Sequence, residues 1–137
     1  MSLIGDVLTQ LEVELRAAVP TLPAGTAGVE RGWRPSSQLE PGERPHAFLW
    51  NESEKPELLI FRQVRMNVSV TGLIVREGST HAQALADYDA LVAGIEDNGT
   101  LNGVLEQCEI ALDGIEVEQG SKLIGTAFTL TGRKILA

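Results

Sequence analysis

The run from Leu58 to Val75 constrains this chain most, because its two faces read separately. Even positions carry Leu58, Ile60, Val64, Met66, Val68, Val70 and Ile74, with Arg62 and Gly72 breaking the series, while the central odd positions Gln63, Arg65, Asn67, Ser69 and Thr71 are polar. Alternation with a period of two belongs to a strand. Towards the ends the odd positions turn apolar, as Leu59 and Phe61 on one side and Leu73 and Val75 on the other. The spacing therefore predicts one wet face in the middle and cover on both faces at the ends. At about 3.3 Å per residue an unbroken strand of this extent would reach roughly 60 Å, far beyond the usual five or six residues. Either it bends at Thr71-Gly72, with a bulge at Gly72, or it projects towards a neighbouring subunit.

A chain of 137 residues fits one domain, and its apolar content is enough for a core without covalent staples. Asp6, Glu12 and Glu14 interrupt the first apolar stretch, which predicts neither a signal peptide nor a membrane span and leads us to expect a cytoplasmic protein. The single Cys108 can form no internal disulfide and reads as a small buried hydrophobe. Charge is uneven: residues 1–76 hold eight basic and nine acidic side chains, residues 77–137 three and ten. This balance argues against wrapping nucleic acid, which draws its free energy from Lys and Arg clusters. An acidic wall would, however, let a passing duplex move by without sticking.

Ile4, Val7, Leu8, Leu11, Leu15 and Ala18 fall at helical spacing and predict an amphipathic helix over 3–18, closed by Pro20. All six prolines lie between Pro20 and Pro56, and Thr21 to Pro45 reads as a connection of about 25 residues, far longer than the usual four to six. A short strand, His46 to Trp50, follows, and Glu52, Glu54 and Glu57 read as a solvated turn. Thr80-His81-Ala82-Gln83 has the form of a capping box, opening a helix over 82–97 with Leu85, Tyr88, Leu91, Val92 and Ile95 as its buried stripe and Asn98-Gly99 at its end. Thr100 caps a turn carrying Leu101, Val104 and Leu105. Glu109–Glu118 and Lys122–Lys134 then form an antiparallel hairpin, with a bulge where Asp113-Gly114 shifts the apolar phase. The expected fold is α+β: one mostly antiparallel sheet of about four strands, two main helices packed on one face, and a long Pro/Gly-rich loop over 20–45.

Catalytic chemistry finds little support. His46 and His81 make no obvious pair, and Glu52, Glu54 and Glu57 suit solvent better than a metal. Asp97 to Glu109 fails as a calcium loop because Gly99 and Leu101 stand where oxygen ligands are needed. No phosphate-binding glycine motif is present. We expect no catalytic, cofactor-binding or metal-binding residues. A long loop carrying Trp33 with Arg31, Arg34 and Arg44 suits a subunit contact instead, since Trp and Arg are favoured in interface cores; Trp33 covering its own core is the alternative. Arg65 and Asn67, on the polar face of the long strand, complete the candidate interface set.

In layout the whole chain resembles the tail terminator proteins of long-tailed bacteriophages, the group that includes the minor tail protein U type. The likeness rests on the helix Ile4–Ala18, the Pro-rich segment leading to Phe48-Leu49-Trp50, and the strand Arg62–Val70. It continues through the helix Ala82–Asp97, the passage Asn98–Val104 and the strands ending Phe128–Arg133. The resemblance implies a structural, non-enzymatic protein of the phage or prophage virion. Such a protein forms a homo-oligomeric ring, usually of six subunits, that caps the tail tube, stops its polymerisation and offers a head-joining surface. The implied partners are further copies of the chain, the tail tube protein and a head-completion or neck protein, with DNA passing through the lumen without specific binding and no membrane or cofactor. The implied location is the host cytoplasm during assembly and then the virion tail. A neck or head-completion connector and a small-ligand-binding α+β domain are the alternative readings.

Overall fold

A computed structural model describes residues 3–35, 39, 45–78, 80–96, 99–117 and 122–136. The fold is α+β. Helix α1 spans Leu3–Ala18 and helix α2 His81–Glu96; the strands are β1 (Val29–Arg31), β2 (His46–Leu58), β3 (Val64–Glu77), β4 (Gln107–Val117) and β5 (Leu123–Leu136). They form one five-stranded sheet in the order β1-β2-β3-β5-β4. Every pairing is antiparallel except β1 with β2, which is parallel. The sheet is therefore mixed, with one strand more than the apolar pattern predicts. β1 escapes that pattern because three residues are too few to show a period.

Both helices bury their apolar stripes on one face of the sheet. Val7, Leu8, Leu11 and Leu15 of α1 and Leu91 and Ile95 of α2 share a cluster with Ala47, Leu49, Val68, Val70, Phe128 and Leu130. The stripe of α2 also contains Asp87, which is buried at 3 % exposure. Arg76 at the end of β3 donates to both its carboxylate oxygens at 2.5 and 2.9 Å, and Gln83 donates a third bond at 3.2 Å. A buried carboxylate needs such partners. Their demand turns the helix so that Ala84, Asp87, Leu91 and Ile95 face inward, while Leu85, expected in the buried stripe, stays exposed. The Thr80 hydroxyl accepts the Gln83 amide at 3.2 Å, which supplies the expected helix cap.

The expected long strand is interrupted at its start. Leu58 ends β2, Val64 pairs with it to begin β3, and Leu59–Gln63 form the turn between them, closed by the Leu59 amide donating to the Gln63 carbonyl at 2.8 Å. Gly72 is no bulge: it keeps register with Leu49 on one side and Phe128 on the other. A β-carbon there would stand 2.1 Å from Cζ of Phe128, so the glycine makes room for that ring. The register shift lies instead in the neighbouring β2, between Trp50 and Ser53, with Asn51 at φ 53°. Beyond it β2 continues through Leu58, so Glu52 to Glu57 are strand and not turn. The bulge expected in β4 is present, with a shift between Leu112 and Gly114.

The connection from Thr21 is also more ordered than its proline and glycine content suggests. It holds a short 3-10 turn at Gly25–Ala27 and then β1, and Arg16 of α1 ties it down by donating to the carbonyls of Pro23 and Gly25 at 2.7 and 2.9 Å. His46 is fully buried beneath it; its Nδ1 donates to the Ala27 carbonyl at 2.7 Å. Residues 36–38 and 40–44 of the expected loop lie outside the described residues.

Candidate interaction surface

The sheet face away from the helices has the wet middle that alternation predicts. By register, Ser53, Lys55, Arg65, Asn67, Ser69, Thr71, Thr129 and Thr131 share that face. Its two ends differ sharply. At one end Phe48, Val75, Leu39 and Leu123 form a small second core, with Trp50 and Leu73 packed against it. Trp33 stands over this core 58 % exposed, and Val117 is 67 % exposed across from it. Between them runs a groove of about 260 Å³ with Phe48, Leu73, Val75 and Leu123 in its lining, bordered by Arg34 and Glu116. Trp33 thus lines an open groove and does not seal its own core.

At the other end the expected cover is missing. Leu58, Ile60 and Phe61 are 80, 78 and 92 % exposed. Leu58 ends β2, and Ile60 and Phe61 sit on the turn of the β2–β3 hairpin, where Phe61 and Arg62 adopt φ of 66° and 61°. This left-handed region costs a residue with a side chain roughly 1–2 kcal/mol, and bulky residues rarely occupy it. A tip both apolar and strained does little for the stability of the isolated chain; such strain concentrates at functional positions.

The candidate interface residues fall into three places. Trp33 and Arg34 border the groove; Arg65 and Asn67 lie near the hairpin tip, both held by Glu57, at 3.5 and 3.2 Å. Arg31 turns to α1, donating to the Thr9 hydroxyl at 3.1 Å. Arg44 lies outside the described residues. Arg34 is already engaged by Glu30 at 3.0 and 3.2 Å, and Glu30 also lies 3.3 Å from Nε2 of the buried His46, though not aligned for a hydrogen bond. The residues that the sequence reading missed are Leu58, Ile60 and Phe61, assigned there to a covered strand. The one clue is that Leu58–Phe61 are four successive apolar residues, which breaks alternation.

Among the described residues no group of three or more His, Cys, Asp and Glu side chains could hold a metal ion, and no helix is long and apolar enough to cross a membrane. Cys108 is half-buried against the main core. Burial pushes its thiol above the usual range, with a backbone hydrogen bond at Leu101 opposing the shift. A thiol held in its protonated form is a poor nucleophile. The chain matches no protein-family model, and a search of curated proteins finds no significantly similar sequence.

Proposed function

We propose that this protein is a structural component of phage or prophage tail assembly, a tail terminator whose subunits close into a ring on the finished tail tube. The ring stops tube polymerisation and presents the surface that joins the head. The observation that carries the reading is the bare apolar tip of the β2–β3 hairpin. Exposed apolar surface gathered on a hairpin tip marks a protein contact. The acidic excess of residues 77–137 is compatible with a lumen through which DNA passes unbound. The ring size follows the resemblance, which implies six copies. A small-ligand site is less well supported: the groove of about 260 Å³ falls under the roughly 300–1,000 Å³ typical of such sites.

Negative-stain electron microscopy and light scattering of purified protein, alone and with tail tubes, test the reading. The expected result is a ring whose mass is a multiple of 14.7 kDa, at high concentration or on the tube end. A strict monomer under both conditions would overturn it.

A further inference from the structure

The two ends of the sheet are complementary, an apolar knob at one and an apolar groove at the other. Resting on the ring reading above, we propose that the hairpin tip of each subunit, Leu58, Ile60 and Phe61, inserts into the groove of the next subunit between Trp33 and Val117. Position supports this. The groove lies at the Leu73–Val75 end of β3 and the tip at its Val64 end, roughly 35 Å apart at about 3.3 Å per residue. A knob and a hole that far apart on a rigid sheet cannot meet within one chain. Between copies they make a head-to-tail contact, the kind that closes into a ring when each step includes a rotation.

Chemistry supports the same pairing. The groove offers the buried floor of Phe48 and Val75 and the exposed walls of Trp33 and Val117. An aromatic anchor in a desolvated pocket is the usual seat of interface energy. Charge is matched as well: Arg62 stands exposed beside the tip and Glu116 exposed beside the groove, and neither forms an ion pair among the described residues. The strained φ at Phe61 and Arg62 then has a reason, since it holds the Phe61 ring outward where a partner can receive it.

Cysteine trapping tests the proposal in the full chain with Cys108→Ser as background. Chains carrying Phe61→Cys are mixed with chains carrying Val117→Cys, mildly oxidised and run on a non-reducing gel. The expected product is the mixed disulfide dimer. A crosslink between two Phe61→Cys chains, with no mixed product, would mean that tips pair symmetrically and would overturn the proposal. If no crosslink forms while light scattering still shows rings, the ring reading survives and the contact lies elsewhere. If the parent protein is monomeric with and without tubes, both fall. In parallel, Phe61→Ala should leave the thermal transition in place and weaken self-association by at least about 30-fold; unchanged association would also overturn the proposal.

Discussion

The same two strands, β2 and β3, end in opposite conditions. At the His46–Trp50 and Leu73–Val75 end both faces carry buried side chains, beneath α1 and α2 on one side and in the Leu39, Phe48 and Leu123 cluster on the other, where the groove beside Trp33 stays open. At the Leu58–Val64 end neither cover is present among the described residues, and Leu58, Ile60 and Phe61 meet solvent. The contrast teaches that one ribbon divides two duties. Its covered half holds the fold and keeps one open groove, and its bare half contributes little to folding and is left for contact. Perturbing the buried side chains of the first half should therefore move stability, and perturbing the tip should move association.

The strongest test of the covered half is Asp87→Ala. It would strand Arg76, 20 % exposed in its side chain, beside an apolar layer and remove both of its bonds to the carboxylate. Breaking such a pair costs about 3 kcal/mol at this partial exposure, which thermal or urea unfolding will register. Gly72→Ala comes next. Its new methyl would collide with the ring of Phe128, which is fully buried and has nowhere to go, so about 1–3 kcal/mol of overpacking is expected. Neither variant should alter the tip. A Gly72→Ala protein as stable as the parent would mean that the sheet yields at this point and is less closely packed than its contacts indicate.

Phe61→Gly separates the two halves most clearly, because it should change stability and association in opposite directions. Glycine adopts φ near 66° without the penalty that Phe61 bears. Since the 92 % exposed ring contributes no internal packing, the variant should be as stable as the parent or more so, by up to about 1 kcal/mol. Assembly should be lost all the same. A variant both less stable and fully able to assemble would reverse the assignment of duties along the ribbon.

How much of this division can be read from the sequence follows from where tertiary contacts override local pattern. Helix α1 shows its whole extent because its apolar spacing and Pro20 agree. The wet middle of β3 and the bulge at Asp113-Gly114 show equally well, since alternation records which face is buried. The second half of β2 does not show. Glu52, Glu54, Lys55, Pro56 and Glu57 are poor strand formers, and it is pairing with β3 that holds them extended. The hairpin turn is hidden for the opposite reason. Leu59, Ile60 and Phe61 look like strand, and none of Gly, Pro, Asn or Asp marks the reversal. Of the candidate interface, Trp33 and Arg34, marked by residue type on a long loop, and Arg65 and Asn67, marked by the polar face of the strand, lie towards the two ends of the ribbon. The anchor residues were lost with the turn.

The smallest expected effect concerns charge. Arg31 and Arg34 are poor probes of an interface, because Thr9 and Glu30 already engage them and a reversal at Arg34 would set two carboxylates side by side next to His46. Arg62 and Glu116 are better, being exposed and unpaired among the described residues. An exposed pair contributes at most about 1 kcal/mol, so Arg62→Glu should weaken each contact by no more than about fivefold, and more visibly at low salt than at high, where screening has already removed most of the attraction. Folding stability should not change. Combining Arg62→Glu with Glu116→Arg should restore association, because the pair is re-formed with its signs exchanged. Restoration distinguishes a direct contact from a general effect of net charge: Arg62→Glu makes the chain more acidic by two charges and Glu116→Arg returns it to the starting value, yet so would a reversal of any acidic residue far from the groove. Asp89→Arg, at an exposed position of α2, is that control. If it rescues association as well as Glu116→Arg does, the tip and the groove do not meet through these side chains.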